Sequence, residues 1–304
     1  MKTPLLFITF NRPDTTAKVF EKIKNLKPKK LFISSDGPRN YVEGEFEKVM
    51  TCREMFKKEN IDWDCEVKRL YYDENKGCAL AVSDSITKSF ELVDELIILE
   101  DDVIPHPSFF TFCSKMLNQY RDNHKVMHIS GTRWNPEFEV GKGDHFFSLI
   151  GHIWGWATWK RAWKKYDYDL KDLPQFEKDK SLQKLYQSKS ISKFWLKNFH
   201  SVNMPNKKTW DYQWQFSIFF NEGLAVVPAV NLTSNIGTQG VHYQGEATEH
   251  HFQETFSWEE QPDIFVNIKV NMEYEKYHMR KRFMKKPPLS KRIRDKVRRT
   301  IARP

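Results

Sequence analysis

The first hundred residues alternate short apolar runs with amphipathic stretches. Pro4 to Phe10 is nearly unbroken, as a strand buried on both faces requires, and Asn11-Arg12-Pro13-Asp14 ends it in a turn. Val19, Phe20 and Ile23 then share one face of a helix predicted over 15–24, with Asp14 or Thr15 as its N-cap. Lys30 to Ser35 reads as a second strand ending in Asp36-Gly37-Pro38. A helix over about 45–60, a strand over 65–71, the loop Asp73-Glu74-Asn75-Lys76-Gly77 and a helix over 79–92 follow. The fourth apolar run, Glu95 to Leu99, stops at Glu100-Asp101-Asp102. This alternation predicts an α/β fold, an open and mostly parallel sheet flanked by helices. Ligands of such sheets sit outside the carboxyl ends of the strands. Asn11, Arg12, Asp36, Asn75, Lys76, Glu100, Asp101 and Asp102 all fall at those ends.

The second half has a different texture. Val126 to Ser130 and Leu224 to Val230 are strand candidates, but 132–214 shows weak periodicity and carries eight of the ten tryptophans. It reads as loops and helices that build a site. Trp156, Trp159 and Trp163 lie at helical spacing, and a helix that Asp211 could cap continues through Phe216 and Phe219. The expected organisation is an α/β half over 1–125, a loop-rich half of the same domain over 126–278, and a basic amphipathic tail over 279–304.

Composition narrows the class. The chain has 304 residues, 39% hydrophobic and 14% aromatic, which excludes disorder over most of its length. No run approaches the ~18 apolar residues of a membrane span. Met1-Lys2-Thr3-Pro4 leads straight into a strand, so no export signal is expected. Cys52, Cys65, Cys78 and Cys113 form no CxxC pair and read as free thiols in a reducing compartment. The net charge of +9 is a property of the tail. From Arg280 to Pro304 twelve Lys and Arg stand against Asp295 alone, a net of +11 that leaves −2 for the rest. Leu289, Ile293, Val297 and Ile301 recur every fourth residue among those basic positions. A helix there would be an interfacial one, and each basic residue near an anionic leaflet contributes ~1 kcal/mol. A solvated basic tail is the alternative. The expected location is cytoplasmic, peripheral on the inner face of the cytoplasmic membrane.

The sharpest chemical signal is the acidic triplet Glu100-Asp101-Asp102, of the DXD-like kind. Packed carboxylates repel unless a cation or a hydrogen-bond network offsets them, and hard oxygen ligands suit Mn²⁺ or Mg²⁺. Together with Phe10-Asn11-Arg12-Pro13 and Ser35-Asp36, the triplet resembles the GT-A glycosyltransferases, with their Rossmann-like sheet. The similar branch is the one holding the medial N-acetylglucosaminyltransferases and bacterial hemolytic-protein-like proteins, and the resemblance spans roughly 4–245. It implies that Asp36 reads a uracil base, that Asn11 and Arg12 lie near the base or diphosphate, and that Asn75, Lys76 and Gly77 form a loop at the ribose and diphosphate. It further implies that Asp102 is the direct metal ligand, that Glu100 and Asp101 contact ribose and donor sugar, and that Asp211 is the general base. Trp210 and Trp214 flank Asp211 with apolar surface, a setting that raises a carboxyl pKa.

His152-Ile153-Trp154-Gly155-Trp156 offers indole faces that could stack on pyranose rings. Core packing is an equal reading of these indoles; the resemblance, in which a Gly-Trp segment lines the donor and acceptor cleft, makes Trp154, Gly155, Trp156 and Trp210 the expected acceptor or sugar platform, with Trp159 and Trp163 in the core. His242, after the loop with Gly237 and Gly240, is a second metal candidate by the resemblance. The resulting expectation is a metal-dependent transferase moving a hexose or N-acetylhexosamine from a nucleotide diphosphate sugar, UDP preferred, to a saccharide or lipid-linked hydroxyl. Synthesis of a bacterial surface polysaccharide, lipopolysaccharide or capsule, is the expected setting, with inversion at the anomeric carbon. A nucleic-acid-binding protein acting through the tail is a competing reading, though no nucleic-acid-binding signature is visible. A sugar-nucleotide pyrophosphorylase is another, but its Gly-rich loop is missing after the first strand.

Overall fold

The first run lacks polar alternation because the strand it forms is covered on both faces. In the computed structural model, which describes residues 1–204, 209–238, 246–261 and 266–284, β1 (Leu5–Thr9) is buried throughout. Its alternate side chains enter two different cores. Leu5 and Phe7 pack with Val19 and Ile23 of α1 (Pro13–Leu26), while Leu6 and Ile8 face the opposite side. β2 (Lys30–Ser35), α2 (Glu45–Glu54), β3 (Glu66–Tyr71), α3 (Gly77–Leu92) and β4 (Glu95–Glu100) complete the first half. β1 pairs in parallel with β2 and β4, and β2 with β3.

The second half continues the same sheet. β5 (Val103–Pro105), α4 (Pro107–Gln119), β6 (Val126–Ser130), β7 (His145–Ser148), β8 (Trp156–Trp159) and α5 (Lys160–Trp163) come first. α6 (Leu173–Lys178), α7 (Ser181–Tyr186), α8 (Lys189–Val202), α9 (Asp211–Phe220), β9 (Leu224–Pro228), β10 (Thr233–Asn235) and α10 (Met272–His278) follow. Among the described residues the main sheet runs β3-β2-β1-β4-β8-β6-β9-β7. β8 is antiparallel to both β4 and β6, and β7 to β9, so the sheet is mixed outside its parallel first half. α1 and α4 cover one face; α3 and α9 cover the other. β5 and β10 form a separate antiparallel ribbon.

Several expectations need correction. α1 starts at Pro13, whose ring presets the first helical φ, and Arg12 rather than Asp14 or Thr15 is its N-cap. α2 stops at Glu54 so that Phe56 can turn inward against Phe7 and Phe20, with centroids 5.7 and 5.0 Å away. Trp156 and Trp159 lie on strand β8, not on a helix. Residues 279–284 belong to the body and not to a tail: a π-helical turn extends α10, Met279 is fully buried and Phe283 packs on a further apolar cluster around Trp195, Phe199 and Phe219. The rest of the basic run, 285–304, and its apolar positions lie outside the described residues. No helix among the described residues is long and apolar enough to cross a membrane.

Candidate active site

Parallel pairing of β1, β2 and β4 brings their carboxyl ends to one edge, and the acidic triplet follows β4 there. Asp101 is 2% exposed and accepts the Phe10 amide at 3.2 Å and the Thr16 hydroxyl at 3.4 Å. Arg12 arrives from the end of β1, donating Nη2 to Asp101 and Nη1 to Asp102 at 2.7 Å. This explains why Arg12 makes no side-chain cap on α1. Burial alone would loosen the guanidinium's proton, but the charges and hydrogen bonds of Asp101 and Asp102 outweigh it and hold Arg12 above its ordinary value. Burial likewise raises Asp101, with Arg12 pulling it back.

Glu100 makes no such pair. Burial and then the Asp102 charge raise its pKa above the ordinary carboxylate range, against the pull of Arg12. Asp211 adds to that rise, which brings the start of α9 within electrostatic reach of the triplet. Asp211 is half-exposed, and Oδ1 of its carboxylate accepts the Thr209 hydroxyl. The site is therefore composite. β1, β4 and α9, far apart in the chain, supply its charged groups.

The resemblance-based donor residues are arranged differently from expectation. Asp36 is buried, and its two oxygens take four donors: the Gly37 and Lys76 amides at 2.9 Å each, and the Gly77 amide and Asn75 side chain at 3.0 Å each. That fills a carboxylate's acceptor sites. Asp36 here anchors the start of α3, and the loop amides expected to meet phosphate are spent on it. Lys76 extends its ammonium to Asp84 at 2.9 Å, over the Tyr72 ring. Asn11 donates to Glu45 at 2.7 Å, and Glu45 also holds the Arg39 guanidinium and amide.

The aromatic platform is a second correction. Trp156 is 0% and Trp210 2% exposed, stacked on each other at 5.5 Å, so neither has a face for a sugar. Gly155 has φ +71, and a Cβ there would lie 2.7 Å from the Thr233 methyl, so close packing rather than ligand access requires glycine. Trp154 packs edge-on against Trp134 at 5.3 Å and is partly exposed. Trp159 and Trp163 are buried, as core residues are.

Asp102, 14% exposed, is covered by the loop after β10. The Ile236 amide donates to its carbonyl at 2.8 Å, and a Cβ on Gly237 would lie 2.3 Å from Oδ2. His242, a few residues on, lies outside the described residues. Among the described residues no three His, Cys, Asp or Glu side chains converge as a metal cage. A cation nevertheless fits the charge balance. Counted formally, Asp101, Asp102 and Asp211 outnumber Arg12, and Asp102 Oδ1 has no hydrogen-bond partner among the described residues. Mg²⁺-type ions commonly use one or two carboxylates and complete their shell with phosphate oxygens.

Three participants carried little sequence signal. Cys78, in the first turn of α3, feels the charges of Glu100, Asp211, Arg12 and Asp36; burial first and then those carboxylates push its thiol well up, so it is inert and neutral in the middle of the site. Glu45 and Arg39 shape the loop after Asp36. The amphipathic pattern placed Glu45 at the start of a helix, but nothing in it showed a carboxylate turned inward.

No family model and no curated protein matches the sequence. Solved structures do. S. aureus TarS 1-349 is similar with TM-score 0.39 and 8% identity over 75% of this chain, which spans only 58% of that one. HddC from Yersinia pseudotuberculosis gives 0.33 and 10%, over 57% of this chain and 86% of that one. UDP-glucose pyrophosphorylase complexed with UDP-glucose gives 0.32 and 9%, over 54% and 79%. Likeness of this degree bears on neither substrate nor reaction.

Proposed function

We propose that this chain is a glycosyltransferase that moves a hexose or N-acetylhexosamine from a nucleotide diphosphate sugar, UDP preferred, to a saccharide hydroxyl. The observation that supports it is the Arg12 clamp on Asp101 and Asp102 beside Glu100 at the strand ends of an α/β sheet, with Asp211 at the start of α9 near enough for its charge to act on Glu100. Each group has work in such a transfer. Arg12 offers the guanidinium charge to the donor's anionic side while keeping Asp101 and Asp102 in place. Glu100, beside Asp102 at the end of β4, hydrogen-bonds a hydroxyl of the ribose or donor sugar. Asp211 takes the proton from the acceptor hydroxyl as general base, which makes inversion the expected outcome. Asp102, with the donor's phosphate oxygens, would hold Mn²⁺ or Mg²⁺, and that ion supplies Lewis-acid stabilisation of the leaving diphosphate.

Thermal unfolding against nucleotides and nucleotide sugars, with and without manganese, tests the reading. Ligand at about 100 times its Kd adds ~2.7 kcal/mol to stability. A manganese-dependent rise in Tm with UDP or a UDP-sugar, lost in Asp102→Ala, is expected. Absence of any nucleotide effect refutes the donor site. Product analysis separates the chemistry: UDP release accompanies glycosyl transfer, whereas pyrophosphate release from UTP and a sugar phosphate would identify a pyrophosphorylase instead.

A further inference from the structure

A cavity of about 120 Å³ opens beside Asp211, walled by Ile150, Ile153, Trp195, Tyr212 and Phe283. Its polar lining is mostly committed. The Gln215 amide is spent on the Gly151 N–H at 3.0 Å and the Leu149 carbonyl at 2.9 Å, and His152 Nδ1 accepts the Trp134 indole at 3.1 Å. That leaves the Asp211 carboxylate, whose Oδ2 has no hydrogen-bond partner among the described residues, and the Tyr212 hydroxyl. Burial and then Asp211 raise the Tyr212 pKa, so it is a neutral donor. Three aromatic rings with one acceptor and one donor at their rim complement a pyranose, which has an apolar C–H face and a hydroxyl edge. The volume is below the range for drug-sized ligands, which makes it a subsite and not an extended groove.

One wall comes from the far end of the chain. Phe283 packs against Trp195 with centroids 5.5 Å apart, and its segment is held on the body by several contacts. Arg282 lies over the Trp134 ring at 3.4 Å, Lys281 pairs with Glu137, and the Tyr277 hydroxyl donates to Glu137 at 2.6 Å. We propose that this cavity is the acceptor-sugar subsite and that residues 279–284, through Phe283, complete it. The proposal rests on the transferase reading above, and it moves the acceptor from Trp156 and Trp210 to Trp195, Tyr212 and Phe283.

Saturation-transfer NMR on the full chain, with UDP and manganese present, tests it using methyl glycosides of hexoses and N-acetylhexosamines as probes. At least one glycoside should receive saturation from the wild type and lose most of it in Phe283→Ala, while the UDP-induced rise in Tm stays. Tyr212→Phe, which removes one oxygen and keeps the ring, should weaken the same glycoside several-fold should Phe283→Ala fail to fold. If UDP binds but no glycoside responds, or the response survives both substitutions, the subsite is refuted. If UDP itself fails to bind, the transferase reading falls first and takes the acceptor assignment with it.

Discussion

Arg12→Met removes the guanidinium from between Asp101 and Asp102 and keeps the aliphatic stem. Asp101 is 2% exposed and then retains only the Phe10 amide and the Thr16 hydroxyl. Breaking a buried ion pair from one side costs about 3–5 kcal/mol, because the remaining charge is left uncompensated. Arg12 is 24% and Asp102 14% exposed, so water can replace the lost bond at that end and little is added there. The expected loss is therefore about 3 kcal/mol, at the lower edge of that range. Urea denaturation at pH 7 measures it. The penalty depends on pH with a definite sign. Without Arg12 the Asp101 pKa in the folded state rises further above its unfolded value, so the variant's stability is greatest below the unfolded pKa and is lost as pH climbs through the folded one. The deficit should shrink in acid. Arg12→Met/Asp101→Asn should recover more than half of the loss, because the stranded charge is gone. A single-variant cost under about 1 kcal/mol, or a double variant no more stable than Arg12→Met, would refute the clamp.

Two further outcomes follow from named groups. Asp211→Asn should keep the UDP-induced rise in Tm and reduce transferase turnover by about 10²–10⁴, the usual contribution of a general base; steady-state kinetics with a competent donor and acceptor read this. Glu275, fully buried on α10, accepts the Leu149 amide at 3.2 Å, and burial pushes its pKa from 4.5 up to about 7. A raised carboxyl stabilises the fold fully below 4.5 and loses that contribution as pH rises to about 7, a change of about 3 kcal/mol. Glu275→Gln should flatten the stability profile across that window, and identical profiles for the two proteins would show that Glu275 is not the titrating group.

The parallel half was legible for a physical reason. β1, β2 and β4 are buried along most of their length, so each carries at least three consecutive apolar residues, and the turns at Pro13, Gly37 and Gly77 punctuate them. The short strands β5, β7, β8 and β10 carry only three or four residues each, too few to establish a period of two. α4 went unpredicted although Pro107 opens it and Phe109, Phe112, Cys113 and Met116 share its buried face; only the three-residue strand β5 and His106 separate it from the acidic turn, a stretch that reads as loop. At the site, position at a strand end was visible, but partnership was not. Asp36 and Asn75 both lie where ligands of such sheets bind, and nothing local says that they bind each other. Arg12 meets Asp101 across 89 residues, and only the parallel pairing of β1 with β4 makes that contact inevitable.

The tryptophans make the same point about function. A Trp-rich segment invites a stacking role, yet Trp156 is flanked by His128 at 4.9 Å and Trp210 at 5.5 Å, and the Trp214 indole donates to His128 at 3.0 Å. Burial holds the His128 pKa down to about 3, so the ring is a neutral acceptor for that bond. This stack joins β8 and β6 to the first turn of α9. Asp211 is the next residue after Trp210, so its backbone is anchored by the stack. A base must be held to within a fraction of an ångström of a productive geometry, by neighbours whose own rotamers are locked. Large flat side chains, each hydrogen-bonded or stacked on both faces, provide that rigidity better than aliphatic ones. Under the proposed transferase reading the tryptophans therefore act from behind, by anchoring the start of α9, and the rings that face the cavity, Trp195, Tyr212 and Phe283, come from α8, α9 and the C-terminal segment.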